Sequence, residues 1–264
     1  MSGISTSSSI LRVSADGIRS RRFCATDEYT ADLGYYPAGI YQPDHEHSRA
    51  QLSFLLCGGY AETERNRDYQ TTTPLHKYRP EGSRHSADFG RFGALIFSVD
   101  FYDSSCVRAS PDGWSANGRW VTDLCRMLFT GSAPAEEVVD DLIAGFEIGG
   151  SEQRADITGA PVWLRRAAER FADDPLSDVG DVALEAGVHR VHFSRTFRKH
   201  LGLAPSQYRL FCKNDRALHR MMDQGESAAM AAVSAGFSDQ AHWTRAIRAL
   251  SGVGPGRLRS LLAA

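Results

Sequence analysis

The pattern of apolar and polar positions changes in character part-way along the chain. Up to about residue 103, short apolar runs separated by turn-forming residues predict β-strands. Apolar side chains alternate through residues 51–56, and Gly58-Gly59 then predicts a two-residue hairpin that returns through residues 60–64. Further strands are predicted at residues 77–79, 84–89 and 93–100, and such regular spacing predicts an all-β sandwich or barrel over residues 11–103.

Beyond Trp114 the apolar spacing becomes helical. Residues 119–129 and 134–146 predict two amphipathic helices within a segment that spans residues 114–148. Val121, Leu124 and Leu128 form one stripe, which we assign to the seam of a homodimer; alternatively, the stripe packs on the β domain. Residues 149–160 are polar and predict a linker, and the Ser-rich residues 1–10 predict a mobile arm.

The last hundred residues contain an internal repeat with a period of fifty. The stretch HFSRTFR at residues 192–198 returns as HWTRAIR at residues 242–248. Gly-x-x-Pro follows both copies, at residues 202–205 and 252–255, and an Ala-Gly pair with a large apolar residue precedes both, at residues 186–188 and 235–237. A repeat of this detail predicts two copies of one structural unit.

Each copy predicts a helix, a tight turn and a second helix. Asp178 and Ser227 are suited to cap the first helices, and Gly187 and Gly236 permit the left-handed endings that turn the chain sharply. Basic and small polar residues lie outside on the second helices, an arrangement that places such a helix in a DNA major groove. The alternative is a pair of helical hairpins packed only for stability. Flanking cations favour DNA: Arg165, Arg166, Arg209, Lys213, Arg216, Arg220, Arg257 and Arg259.

Composition sharpens the division of the chain. The 264 residues are 42% hydrophobic and carry a net charge of -2, but residues 161–264 hold 15 Lys and Arg against 10 Asp and Glu. The C-terminal part is therefore basic and the remainder acidic, as expected for a DNA-binding head on a sensor body. Five cysteines without a C-x-x-C pair, no long apolar run and an N-terminus without a signal-peptide pattern predict a cytoplasmic protein without membrane spans.

The C-terminal residues 161–261 resemble the AraC family of bacterial transcription regulators, most specifically through AGFSDQAHWTR at residues 235–245. The resemblance implies a double helix-turn-helix domain over residues 161–264, joined by one long helix, that binds double-stranded DNA and acts with RNA polymerase. Departures from the family pattern fall on packing positions, at Gly180, Asn214, Ala228 and Ala231. The base-contacting residues implied are Arg190, Val191, Ser194 and Arg195 in the first copy, and Gln240, Ala241, Thr244 and Arg245 in the second.

The N-terminal half resembles cupin barrels through G-x5-H-x-H-x3-Q-x6-G from Gly39 and P-x-G-x2-H from Pro80. Residues two apart on a strand share a face, so His45 and His47 point the same way, and His85 is placed to join them as ligands of a divalent metal. Gln51 stands where metal-binding cupins usually have Glu, Pro74 where they have Gly, and Phe89 where they have Asn. The alternative is a degenerate barrel whose histidines are hydrogen-bonded into the wall or face water.

Together these patterns predict a multidomain α and β fold with an N-terminal cupin-like β-barrel, then amphipathic helices, then an all-α double helix-turn-helix domain. The function expected is that of a sequence-specific DNA-binding transcription regulator, not an enzyme, that responds to a small-molecule effector in the barrel and acts as a homodimer. One rival is a metal-dependent cupin enzyme using His45, His47 and His85. The other is a helical adaptor whose repeat binds protein.

Overall fold

The computed structural model describes residues 11–64, 67–71, 74–103, 107, 115–148 and 160–263. Strands occupy the described chain as far as Ala116, and helices follow. The strands are β1 (Leu11–Val13), β2 (Arg19–Ala25), β3 (Tyr29–Tyr36), β4 (Tyr41–Glu46), β5 (Ala50–Gly58), β6 (Tyr60–Glu64), β7 (Arg67–Thr71), β8 (Leu75–Arg79), β9 (Arg84–Asp88), β10 (Ala94–Phe101) and β11 (Ser115–Ala116). The helices are α1 (Arg119–Thr130), α2 (Ala135–Ile148), α3 (Val162–Asp173), α4 (Val179–Glu185), α5 (Arg190–Leu201), α6 (Pro205–Met222), α7 (Ala228–Ser234), α8 (Gln240–Ser251) and α9 (Pro255–Leu262). The predicted arm at residues 1–10 and residues 149–159 of the predicted linker lie outside the described residues.

The strands form two antiparallel sheets. One has the order β1-β2-β3-β10-β5-β8-β11 and the other the order β4-β9-β6-β7. The central strand β5 is almost wholly buried because the larger sheet is covered on both faces. Leu55 of β5 packs with Ala87 and Phe89 on the side of the smaller sheet. Leu52 and Phe54 instead belong to a second core, which also contains residues of the helices. The predicted order, a β-rich N-terminal part followed by a helical part, is confirmed.

The predicted hairpin at Gly58-Gly59 is wrong, although both of its strands exist. β5 pairs with β8 and β10, whereas β6 pairs with β7 and β9 in the other sheet. Gly58 has a φ of 106°, and a Cβ there would lie 2.2 Å from the Gly93 carbonyl oxygen. The glycine is required because the chain crosses from one sheet to the other while its backbone passes close to a neighbouring strand.

The apolar stripe of α1 is buried against the same chain. Val121 and Leu128 belong to the core that includes the larger sheet, and the Phe129 ring lies 5.3 Å from the ring of Phe23. The stripe therefore packs on the β domain, which is the alternative use that the sequence left open. A homodimer remains a prediction, and in this arrangement Val121 and Leu128 are not available to form its seam.

The helical C-terminal part packs directly on the larger sheet. Asp215 of α6 accepts a hydrogen bond from the backbone N–H of Gly58 at 2.8 Å, and Asp223 accepts one from the Tyr35 hydroxyl at 2.9 Å. Side chains of α6, α7, α8 and α9 share one apolar core with the sheet, while α3, α4 and α5 enclose a separate core. Within the residues described, no helix combines the length and apolar character needed to cross a membrane.

Candidate functional site

The first helix-turn-helix consists of α4, a turn and α5. The Asp178 side chain caps α4 by accepting a hydrogen bond from the Gly180 N–H at 2.6 Å, which also holds the pKa of that carboxyl below its usual value. Gly187 has a φ of 69°, the left-handed conformation that ends the turn, and the His189 ring then accepts from the Val191 N–H at the start of α5. The helix boundaries follow from these local signals.

The predicted base-contacting residues of α5 lie on its exposed side. Arg190, Val191 and Arg195 are exposed and Ser194 is half-buried, whereas Phe193 and Phe197 on the opposite side are fully buried. Val191 leaves 50% of its surface in solvent, where it is able to contact an apolar base edge such as a thymine methyl group. These residues border one shallow groove, which Arg198 and Lys199 continue toward the end of the helix.

The second helix-turn-helix repeats this geometry with α7 and α8. The Ser227 hydroxyl accepts from the Met230 N–H at 3.2 Å, Gly236 has a φ of 90°, and Asp239 accepts from the His242 N–H at 2.7 Å. Trp243 on the inner side of α8 is fully buried. The four predicted base-contacting residues of α8 all reach the surface, with Gln240, Ala241 and Arg245 exposed and Thr244 half-buried.

The two units are locked to each other through α6. The Lys213 ammonium donates to the Gly236 carbonyl at 2.9 Å, and Arg209 donates to the Pro175 carbonyl at 3.1 Å. A Cβ on Gly236 would lie 2.3 Å from the Leu176 side chain, so the turn of the second unit is in close contact with the loop before α4. These contacts fix the orientation of α5 relative to α8.

Most of the flanking cations that favoured DNA binding in the sequence have structural partners instead. Arg165 and Arg166 are exposed, but the other six bind within the chain, because helix ends and turns leave carbonyl oxygens that need donors. Their partners are the carbonyls of Pro175 for Arg209, Gly236 for Lys213, Asp173 for Arg216, Phe129 for Arg257 and Met221 for Arg259, and the Glu226 carboxylate for Arg220. The count of cations therefore overstated the surface available to phosphates.

The exposed faces of α5 and α8 border a common cleft. Arg198 and Lys199 of α5 line it together with Arg245 and Arg248 of α8, and its volume is about 830 Å³. Because Arg198 and Lys199 also border the groove along the α5 face, the predicted base-contacting side of α5 is continuous with Arg245. We call this the basic cleft. One elongated, anionic partner is able to contact both helices from the same side.

Residues 164–260 match a protein family described as a helix-turn-helix domain. These residues are a helix-turn-helix domain of the AraC type. Over 87 residues, or 33% of the chain, the sequence is 32% identical to the HTH-type transcriptional regulator ArgR of Pseudomonas aeruginosa. The chain spans 26% of the length of that relative, so the likeness concerns a part of that protein and not the whole of it.

Solved structures similar to this chain resemble either its whole length or its β domain. ToxT from Vibrio cholerae is 10% identical with a TM-score of 0.38, and the match covers 90% of this chain and 100% of ToxT. An RmlC-like cupin from Shewanella frigidimarina is 14% identical with a TM-score of 0.34, over 38% of this chain and 90% of the cupin.

The three histidines predicted from the cupin-like motifs lie together in the β domain. Nε2 of His47 is 2.9 Å from Nε2 of His85, and one ring nitrogen from each of His45, His47 and His85 lies within 4.8 Å of the others. Nδ1 of His45 is 2.9 Å from the Pro43 carbonyl, which leaves its Nε2 directed elsewhere. The histidines line a cavity of about 180 Å³ inside the β domain.

A buried ion network lies beneath the histidines. Glu62 accepts from Lys77 and Arg79 at 2.5 and 2.7 Å, and its carboxylate is 3.2 Å from Nδ1 of His85. Burial by itself raises the pKa of Glu62, but Arg79 and then the His85 and Lys77 hydrogen bonds outweigh burial and hold it well below its usual value. Because an ionised carboxylate only accepts, Nδ1 of His85 carries the proton and Nε2 presents a lone pair. Tyr60 also donates to Glu62, at 3.0 Å.

The electrostatics of this cavity keep His47 and His85 neutral. Burial, followed by the charge of Arg79, lowers the pKa of His47 to about 3, and burial also lowers the pKa of His85. Neutral imidazole is the form that binds a metal. The three converging imidazole nitrogens fit a divalent metal with open positions for water or an oxygen ligand. The Glu62 contact orients His85 as carboxylates orient metal-ligating histidines.

The departures from the cupin pattern have structural uses. Gln51 lines the cavity, but its amide donates to Asp100 at 2.9 Å and its oxygen accepts from the Ser53 hydroxyl at 2.9 Å. Phe89 stacks on Tyr36 with 4.1 Å between ring centroids, which makes one wall of the cavity apolar. The amide of Gln51 is thus occupied within the wall, and the anionic group of the site is Glu62, placed behind His85.

Sequence reasoning missed the network around Glu62. A signal for it exists, because Tyr60 and Glu62 are two apart on β6, and Lys77 and Arg79 are two apart on β8, so each pair shares a strand face. A tyrosine and an acid on one strand, and two bases at the same spacing on another, indicate an internal ion network only once the sheet order is known. Strand order is a long-range property that local patterns do not contain.

Proposed function

We propose that this protein is a transcription regulator that binds a specific sequence of double-stranded DNA with α5 and α8. The observation that carries the proposal is that two capped helix-turn-helix units, locked together by α6, turn their arginine-bearing faces toward one continuous basic surface. Arg195 and Arg245 occupy equivalent positions in the two units and suit guanine, while Gln240 suits adenine. Successive major grooves on one side of a duplex are about 34 Å apart, and we expect the two linked recognition helices to enter two such grooves.

The test is binding to DNA fragments selected from the source genome, followed by Arg195→Ala and Arg245→Ala. Each substitution is expected to weaken binding by about 1 to 3 kcal/mol and to relax preference at a few adjacent base pairs. Arg84→Ala is the matched control, because Arg84 is an exposed arginine of the β domain whose partners are Asp44 and Glu46. Unchanged affinity and unchanged base preference in both test variants would refute the assignment of these residues.

We propose that the β domain is a sensor that binds a divalent metal through His45, His47 and His85, either as the signal or as the anchor of a small oxygen-containing ligand. The support is the convergence of three imidazoles, with Glu62 behind one of them. A bound metal would supply a Lewis-acidic centre for such a ligand. Metal content of the purified protein is expected to fall in His47→Ala and to stay unchanged in His192→Ala, an exposed histidine of α5. Equal, negligible metal in all three proteins would refute this part.

We also propose that the protein acts in the cytoplasm as a homodimer, contacts RNA polymerase and has no enzymatic activity of its own. A dimer is favoured because two linked heads that bind adjacent sites gain affinity together. Sedimentation of the full chain with and without its DNA tests this. A metal-dependent activity that is lost in His47→Ala while DNA binding persists would favour the rival enzyme.

A further inference from the structure

The basic cleft has a wall that does not belong to the helix-turn-helix domain. Besides α5 and α8, the helix α1 lines it, and α1 precedes the AraC-type domain by a full helix and a linker. Asp123 of α1 is the acid among the described residues that line the cleft. The cations lining it are Arg119 and Arg126 of α1, Arg198 and Lys199 of α5, and Arg245 and Arg248 of α8.

Close backbone contact holds α1 against the end of α8. The Thr122 hydroxyl donates to the Ala249 carbonyl at 3.4 Å, near the limit of a hydrogen bond. A Cβ on Gly252 would lie 2.6 Å from both the Thr122 carbonyl oxygen and the Arg126 amide nitrogen, so only glycine permits the approach. The arginines of α1 are therefore carried on a helix whose position relative to α8 is fixed.

The α1 arginines are open to an anionic partner. The side chains of Arg119 and Arg126 are 93% and 58% exposed, and their partner is Asp123, at 3.8 and 3.2 Å. Exposed ion pairs of this kind contribute about 0 to 1 kcal/mol, so a phosphate group is able to replace the carboxylate at little cost. The contrast is with four arginines of the C-terminal part that donate to carbonyl oxygens of the fold: Arg209, Arg216, Arg257 and Arg259.

We propose that α1 is a third DNA-contacting element, whose Arg119 and Arg126 bind backbone phosphates of the duplex that α5 and α8 recognise. A duplex with α5 and α8 in successive major grooves presents, between them, the phosphates that flank a minor groove. The basic cleft lies between the two helices, and α1 forms its far wall. Arginine–phosphate contacts carry no base information, so α1 adds affinity and fixes orientation without changing sequence preference.

This inference rests on the proposed function and adds a role for a helix outside the recognised domain. Because α1 also packs on the larger sheet through Val121 and Leu128, the contact places a DNA-binding surface on the β domain itself. Any change in the β domain that moves α1 would then alter affinity directly. The AraC-type domain alone is accordingly expected to bind the same sequence more weakly than the full chain.

The test compares full-length wild type with Arg119→Ala/Arg126→Ala, measuring Kd against salt concentration on the selected duplex and on a scrambled duplex. Loss of two phosphate contacts is expected to reduce the slope of log K against log salt by about 1.8. Affinity at 0.15 M salt then falls on the order of 30-fold on both duplexes, if the curves meet near 1 M salt. The ratio between the two duplexes is expected to stay constant.

Two further variants make the result decisive. Arg12→Ala/Arg84→Ala removes the same charge from exposed positions of the β domain and is expected to leave the slope unchanged. Asp123→Asn removes the competing carboxylate without shortening the side chain and is expected to tighten binding to both duplexes.

The proposal is overturned if the α1 double variant and the control double variant have the same slope, or if Asp123→Asn has no effect. Failure of the proposed function is a different result, in which wild type itself shows no salt-dependent binding and Arg195→Ala and Arg245→Ala change nothing.

Discussion

Asp215 is a buried carboxylate at the contact between α6 and the larger sheet, and it is expected to make stability depend on pH. The side chain accepts from the Cys57 thiol at 3.1 Å and from the Gly58 N–H at 2.8 Å. Burial raises the pKa of Asp215 from its ordinary value of 3.8 to about 7, although both hydrogen bonds act in the opposite direction. Near neutral pH the folded protein therefore binds a proton that the unfolded chain has released.

The sign of the effect follows from this difference in proton binding. A carboxyl whose pKa is raised on folding is held protonated in the folded state between about pH 4 and pH 7, so the free energy of unfolding falls as pH rises through that range. The rise in the pKa of Asp215 from 3.8 to about 7 corresponds to a change of about 4 kcal/mol in the free energy of unfolding, because one pKa unit is worth about 1.4 kcal/mol. Asp215→Asn keeps an oxygen acceptor for both donors and removes the charge, so it is expected to be more stable than wild type at pH 8.

The assay is thermal and urea unfolding of wild type and Asp215→Asn from pH 5 to pH 8.5. Subtracting the free energies of unfolding of the two proteins at each pH removes the contribution of the other titrating groups, which are common to both proteins. The difference is expected to grow with pH and to level off above about pH 7. Asp16→Asn, an exposed aspartate, serves as the control for loss of one charge. Parallel curves for wild type and Asp215→Asn across this range would refute the reasoning.

Three further predictions concern the α1 contact, the histidine cluster and the recognition helix. Gly252→Ala places a methyl group 2.6 Å from the backbone of α1 at Arg126 and is expected to destabilise by about 1 to 3 kcal/mol beyond the cost of its left-handed φ, measured by thermal unfolding. Glu62→Gln removes the carboxylate that orients His85, and calorimetry is expected to show metal affinity reduced by about 10- to 100-fold. Asp239→Ala removes the cap of α8 and is expected to cost about 1 kcal/mol of stability, with DNA affinity reduced as the helix frays.

Each of these predictions has a matched control in the chain. Gly202 occupies the equivalent position of the first repeat in the same left-handed conformation, but a Cβ there would have nothing within 4 Å. Equal destabilisation by Gly202→Ala and Gly252→Ala would therefore contradict the α1 contact. Glu81→Gln alters an exposed acid, and metal affinity equally affected by both glutamate variants would rule out orientation of His85. Asp239→Asn retains a capping oxygen, and it is expected to behave like wild type.

Features of the recognition units were predictable because their signals are local. The caps at Asp178 and Ser227 and the left-handed turns at Gly187 and Gly236 act over three or four residues, and the fifty-residue repeat supplied each of them twice. The places of α5 and α8 within the repeat, and the basic and small polar residues on their outer faces, therefore followed from the sequence. The three histidines also came together, His45 and His47 as their spacing indicated and His85 as the resemblance to cupin motifs implied.

Features that depend on which distant segments meet were decided by the tertiary structure. Gly58-Gly59 has the composition of a hairpin turn, but β5 before it belongs to the larger sheet and β6 after it to the smaller sheet. Other strands pair with the edges of β5 and β6 through which these two strands would have paired with each other. The α1 stripe is equally suited to a partner chain or to the larger sheet, and the sheet is the surface that it covers here.

The same division applies to charge. The sequence by itself determined that the C-terminal part is basic, that it contains two equivalent helix-turn-helix units, and which side chains of α5 and α8 face outward. Only the tertiary structure decided that Lys213 and Arg209 hold the units together, that Glu62 stands behind His85, and that α1 borders the basic cleft. Periodicity and capping are encoded within a few residues, whereas the partner of a charge depends on the three-dimensional path of the whole chain.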